Sequence, residues 1–417
     1  MKLSALLTSR PQPIGLDLAS AELRLLQLRL VDGLPVLVSA ARRPVPQEPI
    51  PLRQGKASSA CVLPPRRAEI LVEMIRQQGF FGRRIVAAIP EQITRIKNIR
   101  LPSMPPEETA EAALLEAPEA LGFAPDEAAV RHLVLGTVRQ GNDARQEIMV
   151  FGARHIDIDL FTEELHRCGL QVAGLDFEPA AIYRIVERFL RRDDDLREVH
   201  VVVSVGSAKS RVIIGRGADI TFCKTIELGG SHVHAAVARK LGVSLEEARA
   251  LRKRFDLITD PQEQAGGVRQ AVEDAARSTF EMLAREIALC MRYHSVTFRG
   301  TRPGLVRVVG AEGDDKQLLE VLNQQLPVRT ELARPLDAVG GLTNSPVRDE
   351  TQGRWALAMG LGLRKAKGPF APADGTTRQQ QAVLAAEEQK LQAAADDAGH
   401  AARRATGASA EPEVARA

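Results

Sequence analysis

Apolar and polar positions alternate through E-L-R-L-L-Q-L-R-L at residues 22 to 30, the two-residue period of a strand. P-I-G-L-D-L-A precedes this stretch, and L-P-V-L-V-S-A follows it after a turn at Asp32-Gly33, so residues 13 to 39 are predicted to form three strands. Residues 45 to 65, rich in Pro, Ser and Gln, read as a surface loop. From about Pro65 the period becomes helical, with Ile70, Leu71, Met74 and Ile75 on one face. I-V-A-A-I-P and T-R-I-K-N-I-R-L give two more strands, and Ser103-Met104-Pro105-Pro106-Glu107-Glu108 opens a helix that Ser103 is placed to cap. Strands near 130 to 137 and 146 to 153, around the polar turn Gly141-Asn142-Asp143, complete a β-β-α-β-β block over about 82 to 155. A helix at 156 to 169, the strand Q-V-A-G-L-D and a helix from Glu178-Pro179 close a first α/β half, residues 13 to 192.

Residues 191 to 197 mix acids and bases and read as a solvated linker. A second half, 198 to 365, opens with V-H-V-V-V-S-V-G, adds two strands ending near Ile226, and turns helical from Gly230 to about His294. A further strand at Leu305 to Val309 meets Gly310-Ala311-Glu312-Gly313 and a helix, and Trp355 with the apolar segment after it reads as a core-closing helix. Residues 1 to 12 form a short N-terminal segment, and 366 to 417 are Ala-, Gln-, Glu- and Arg-rich without an apolar stripe, the pattern of a disordered or loosely helical tail.

Composition narrows the classes. The 417 residues are 44% hydrophobic, enough for a large core, and carry a net charge of +3, too small to argue for nucleic-acid binding. Cys61, Cys168, Cys223 and Cys290 are far apart and form no C-x-x-C pair, so they are expected to be buried thiols of a reducing compartment. With no apolar run of eighteen residues and no secretory signal, a cytoplasmic protein is expected. His232-Val233-His234 is expected to be a solvated pair, since positions i and i+2 of a helix face different sides and no third metal ligand is evident. Glu246-Glu247 is expected to favour a helix start through its dipole.

The two halves open alike. I-G-L-D-L-A-S-A-E-L-R-L-L at 14 to 26 lies over V-V-V-S-V-G-S-A-K-S-R-V-I at 201 to 213, which pairs Asp17 with Ser204, Ala19 with Gly206, Ser20 with Ser207 and Arg24 with Arg211. Each copy is a strand, a turn of small residues and a returning strand. Without bulky Cβ atoms in the way, backbone N–H groups of such a turn approach phosphate oxygens, and two facing copies would hold a polyphosphate from both sides.

With these motifs the chain resembles the actin-like ATPase superfamily of FtsA, sugar kinases and DnaK-type chaperones, and within it the PilM family of type IV pilus assembly proteins. The first phosphate motif of that superfamily, roughly I-G-I-D-x-G-S, matches Ile14 to Ser20. The second phosphate region matches S-V-G-S-A-K-S through T-F-C-K-T-I-E-L-G-G, ending at Gly229 and Gly230. V-S-L-E-E-A-R-A-L-R is similar to the family's helix, V-V-G-A-E-G at 308 to 313 to its adenosine motif, and I-R-L-P-S-M-P-P-E-E to its inserted subdomain. The resemblance, over residues 13 to 365, implies duplicated actin-like (ribonuclease H-like) α/β halves with an inserted subdomain and a site for ATP and Mg²⁺. It also implies a PilN-like inner-membrane partner whose cytoplasmic peptide sits between the first half and the insertion, communication with the pilus assembly ATPases, and a place at the inner membrane reached through that partner. Self-association is left open.

Departures from the pattern bear on mechanism. The superfamily's turns carry Asp-x-Gly; here the first keeps Asp17 but has Ala19, and the second keeps Gly206 but has Ser204, which cannot act as a carboxylate base. Asp17 is then the residue left to hold Mg²⁺ through water. The ribose-contacting Glu of the family helix falls at Arg249, its Lys at Arg252, and the third glycine pair is reduced to Gly310-Ala311. Lys209, in the second turn, would neutralise a phosphate as a point charge. Hydrolysis is therefore expected to be weak or absent while binding suffers less. An FtsA-like polymer former tied to the membrane is the first rival, but the tail lacks an amphipathic anchor. A sugar-kinase-type phosphotransferase, the second, would need an acid in place of Ser204.

Overall fold

In the computed structural model, the residues described are 10–46, 63–140, 143–190, 192, 194, 195, 197–257, 267–298, 302–342, 347 and 352–364. Residues 1 to 9 of the N-terminal segment, most of the 45 to 65 loop, Cys61, Gly141-Asn142, parts of the linker and the tail from 366 lie outside them.

Two five-stranded sheets share one topology. The first contains β1 (Ile14–Leu18), β2 (Glu22–Val31), β3 (Leu34–Pro44), β4 (Arg84–Ala88) and β8 (Gln171–Asp176), in the order β3-β2-β1-β4-β8. The second contains β9 (Val199–Val205), β10 (Ser210–Arg216), β11 (Asp219–Ile226), β12 (Leu305–Val309) and β13 (Arg329–Leu332), in the order β11-β10-β9-β12-β13. Numbered within each half, both run 3-2-1-4-5, with an antiparallel meander followed by two parallel strands. The motif repeat in the sequence thus belongs to a duplication of the whole sheet.

Helices α1 (Pro65–Gln77) and α3 (His155–Arg167) cover one face of the first sheet, where Leu71, Met74, Phe161 and Leu165 pack on Leu16, Leu23 and Ile85. Helices α5 (Gly230–Leu241), α6 (Leu245–Leu257), α7 (Gly267–Phe298) and α8 (Lys316–Gln325) belong to the second half. The long α7 and α8 fill the outer face of its sheet against Val201, Val203 and Ile214. A capping box opens α6: Ser244 and Glu247 exchange hydrogen bonds through Ser244 N–H and Glu247 N–H, so Glu247 caps as well as meeting the helix dipole.

Between the two sheets lies α4 (Glu178–Glu187), in which every residue from Pro179 to Val186 is buried. It touches the first sheet through Ala181 and the second through Ile182, Tyr183 and Ile185. Beside it runs α9 (Ala356–Gly362), preceded by fully buried Trp355. This last helix, expected to close a core, follows the second half in sequence but crosses back to pack on α4, β1 and β2 of the first half. Glycine makes that fit: a Cβ on Gly360 would stand 1.8 Å from Ala181 O, and one on Gly15 1.9 Å from Ala358 O.

The block at about 82 to 155 divides differently from the expected β-β-α-β-β. Its first strand, β4, pairs with β1 and β8 in the main sheet. Ile85, Val86 and Ala87 are all fully buried, as a central parallel strand requires, whereas an outlying strand would leave one face wet. The insertion is therefore β5 (Arg95–Pro102), α2 (Pro106–Leu121), β6 (Ala128–Gln140) and β7 (Asp143–Arg154), with its sheet ordered β5-β7-β6. Ser103 does not cap α2, which starts after Pro105; Thr109 Oγ instead donates to Pro105 O at 2.9 Å.

Candidate functional site

A cleft of about 700 Å³ opens between the halves, lined by the β1–β2 turn, the β9–β10 turn, the loop from β12 to α8, the inner side of α6 and the start of α9. Of the candidate residues, Asp17, Ala19, Ser20, Ser204, Gly206, Ser207, Arg249, Arg252, Gly310 and Ala311 all reach it. Arg42 and Pro44 of β3, Glu178 of α4 and His234 of α5 complete the lining, so the walls come from segments far apart in sequence.

The two turns are braced from behind in the same way. Arg67 of α1 donates to the carbonyls of Ala19 and Ser20. In the other half the first N–H groups of α5 do this work, Gly230 N–H donating to Gly206 O at 3.0 Å and Ser231 N–H to Ser207 O at 2.7 Å. The carbonyl oxygens, which would repel an anion, are thus engaged away from the cleft. Gly229 and Gly230 belong to this brace and do not line the cleft; a Cβ on Gly229 would stand 2.5 Å from Gly206 O. Gly310 is required in the third segment, because its φ is +101° and a Cβ there would meet Val205 O at 2.3 Å.

Asp17 is not an open metal ligand. Strand register sets it opposite Arg24, whose Nη1 lies 2.6 Å from Asp17 Oδ2 while its Nη2 reaches Glu22 at 2.9 Å. Glu22 also takes Arg42 at 2.9 Å. The Asp17 and Arg24 side chains are each 4% exposed. Burial pushes the Asp17 carboxyl above its ordinary value, the charge of Arg24 pulling the other way; burial acts likewise on Glu22, but Arg24 and Arg42 together hold it below. In the second half the register repeats, Ser204 facing Arg211. Lacking a carboxylate opposite, Arg211 turns to Glu178 at 2.5 Å and Glu91 at 3.0 Å. Glu178 lines the cleft and is raised by burial.

The residues present do not fit a resident Mg²⁺. That ion favours carboxylates with room for several waters in octahedral array. Asp17 is buried against a guanidinium, Ser204 is neutral, and among the described residues no group of three or more His, Cys, Asp or Glu is arranged to hold a metal.

Lys209 does not face the cleft either. Its Nζ is 2.7 Å from Glu91 and 3.1 Å from Glu227, so it ties the second turn to the first half instead of meeting a phosphate. His234 departs from the expected solvated pair: it is half-buried in the cleft wall, and burial, with Arg252 and Arg249 adding to it, pushes its imidazole down to about 4. His232 accepts from Gly229 N–H at 3.2 Å. Cys223 and Cys290 are raised by burial to about 12 and about 11, the state of inert structural thiols.

Sequence reasoning noted Arg24 only as the counterpart of Arg211 and missed Glu178, Glu312, Asp314 and Asp315 as cleft residues. Glu312 lies over Gly230, where a Cβ would come within 2.5 Å of its carboxyl carbon, and burial raises it despite the nearby Arg252 and Arg249. Glu312 and Arg249 both line the cleft, one as an acceptor and the other as a donor. Asp315 both caps α8, accepting from Leu318 N–H at 3.0 Å, and pairs with Arg252. The repeat that pairs Arg24 with Arg211 and the position of Glu312 beside Gly310-Ala311 were the signals available in the sequence.

A sequence profile of the family described as type IV pilus assembly protein PilM matches residues 15–366. No curated protein sequence matches the chain. Among solved structures the chain is similar to a PilM-PilN type IV pilus biogenesis complex, with TM-score 0.67 and 22% identity over 86% of this chain and 99% of that one. It also aligns with the ethanolamine utilization protein EutJ of Carboxydothermus hydrogenoformans, at TM-score 0.49 and 14% identity over 85% and 89% of the two chains. An archaeal actin homolog aligns at TM-score 0.42 and 14% identity, over 84% and 98%.

Proposed function

The chain belongs to the family of the type IV pilus assembly protein PilM, and we propose that it serves that machine as a nucleotide-binding scaffold in which hydrolysis is weak or absent. The observation that carries this reading is the pair of facing small-residue turns, Ala19-Ser20 and Gly206-Ser207, whose carbonyls are both held away from a shared cleft. Such a cleft suits a polyphosphate, and Gly310-Ala311 with Glu312 and α6 offers a wall for a nucleoside, for which the family resemblance implies adenosine. Hydrolysis needs a carboxylate free to orient water. Asp17 is committed to Arg24, Ser204 is not an acid, and Glu178 is committed to Arg211.

In this reading the partner is the short cytoplasmic peptide of a PilN-like inner-membrane protein, which the solved complex of a related chain supports. The peptide would lie between the first half and the insertion, and nucleotide would act by favouring one closure of the halves, provided the two closures bind it differently. No helix of the described residues is long and apolar enough to cross a membrane, so the inner membrane would be reached through this partner, alongside the assembly ATPases.

Two measurements test the proposal: calorimetric titration with ATP and ADP, and fluorescence titration with a labelled N-terminal peptide of the PilN-like protein. Saturable nucleotide binding with little phosphate release is expected, as is peptide binding whose affinity changes when nucleotide is present. Sustained ATP turnover would overturn the weak-hydrolysis claim, and absence of peptide binding the scaffold claim.

A further inference from the structure

We infer that the cleft takes the nucleotide's polyphosphate as the metal-free anion, with the Arg24 guanidinium as a built-in cation where the superfamily uses a divalent ion. This rests on the reading above that nucleotide binds there. Three observations lead to it.

First, the residue that would position the ion's water shell is spent. Asp17 Oδ2 receives Arg24 Nη1 at 2.6 Å, Arg24 also reaches Glu22, and these three buried groups meet the exposed Arg42 through Glu22. To serve a hydrated ion, Asp17 would have to leave a guanidinium that is itself buried, and the ion would then sit beside that like charge. Second, two guanidinium nitrogens on cleft-lining residues, Arg24 Nε and Arg252 Nη1, are buried without an acceptor. Buried donors without acceptors are costly, and an anion is the ligand that satisfies them. Third, Arg249, Lys253 and Lys316 also line the cleft and their side chains enter no ion pair or hydrogen bond among the described residues, so charge for the outer phosphates is at hand. Arginine suits this role because its charge is permanent and its donors fork toward phosphate oxygens. The duplication explains how the arrangement arose at one turn only: Arg24 and Arg211 occupy matching register positions, but Arg211, facing Ser204, is drawn to Glu178 and Glu91.

The test is calorimetric titration of the full chain with ATP and with ADP, in excess EDTA and in excess MgCl₂. Binding in EDTA is expected, with Mg²⁺ leaving the Kd unchanged or weakening it, because the ion competes for the same phosphate oxygens. Tightening by more than about threefold on adding Mg²⁺ would overturn the proposal while leaving the nucleotide reading intact. No binding under either condition would overturn both. Arg24→Gln gives an independent arm: a loss of about tenfold or more in EDTA, partly restored by Mg²⁺ once Asp17 is released, is expected. A folded Arg24→Gln protein, checked by circular dichroism, that binds in EDTA like the wild type would also overturn the proposal. If that variant does not fold, the wild-type comparison decides alone.

Discussion

Replacing Arg24 by Gln should be among the more damaging polar substitutions in the first half, and the reason can be worked through. Arg24 neutralises Asp17 at 2.6 Å and shares Glu22 with Arg42; Asp17, Glu22 and Arg24 are buried, and Arg42 is exposed. Removing one partner of a buried ion pair costs about 3–5 kcal/mol, because a charge is left without compensation. Glu22 keeps Arg42, so only Asp17 is stranded, and the lower end, about 3 kcal/mol, is expected for R24Q at neutral pH. In Asp17→Asn, Arg24 retains Glu22 and gains a neutral acceptor, so about 1–2 kcal/mol is expected. In the double variant the two amides face each other across the same register, and the total should fall short of the sum by about 2 kcal/mol. Urea denaturation of the four proteins measures this cycle. Without Arg24 the folded-state pKa of Asp17 rises further, so its protonation stabilises R24Q below the unfolded value and that gain is lost as pH rises through the folded one. The R24Q deficit should therefore shrink as pH is lowered from about 7 toward about 5. An R24Q cost under about 1 kcal/mol, additive single effects, or a deficit that grows with acidity would refute the account.

Three further outcomes follow from the packing and titration of other residues. Gly360→Ala should gain about 1 kcal/mol of helix propensity yet lose about 2–4 kcal/mol net as α9 is pushed off Ala181, whereas Gly79→Ala, with open space around it, should be close to neutral; equal melting temperatures would refute this. Gly310→Ala combines a positive φ with a backbone clash at Val205, and should cost roughly 2 kcal/mol or more and weaken nucleotide binding, as parallel thermal melts and titrations would show. Burial lowers the His294 imidazole to about 4 in the folded state, so the unfolded chain binds more protons between that value and its ordinary one, and stability should fall as pH drops through the window. His294→Gln, which can keep a bond to Thr221, should show a smaller acid loss by calorimetry, and an unchanged loss would refute the assignment.

Much of the architecture was legible because it was local. The alternation in β2, the turn at Asp32-Gly33 and the helical period after Pro65 are set by neighbours within a few residues. The repeat of Asp17 and Ser204 was legible because duplication preserves spacing. Misplacements came where partners are distant. β4 has the same apolar run whether it joins the insertion or the main sheet, and only its pairing with β1 and β8 decides. Lys209 looked like a phosphate ligand within its own turn, yet Glu91, 118 positions away, claims it. Arg24 was noticed as one half of a pair with Arg211, but its bond to Asp17 depends on strand register, which a motif does not display. Glu178 and Glu312 come from segments that meet only when the cleft forms. β13, four residues long, carried no signal of its own.

The return of α9 to the first half bears on the order in which the chain acquires its structure during synthesis. All five strands of the first sheet precede residue 177, yet the helix that covers β1 and packs Met359 against Leu26 and Leu28 begins only at Ala356. A nascent chain therefore holds an incomplete first half, its apolar sheet face waiting, until the entire second half has been translated. Products that stop short of α9 leave that face uncovered, which gives chaperones and proteases a physical basis for distinguishing them from the finished chain.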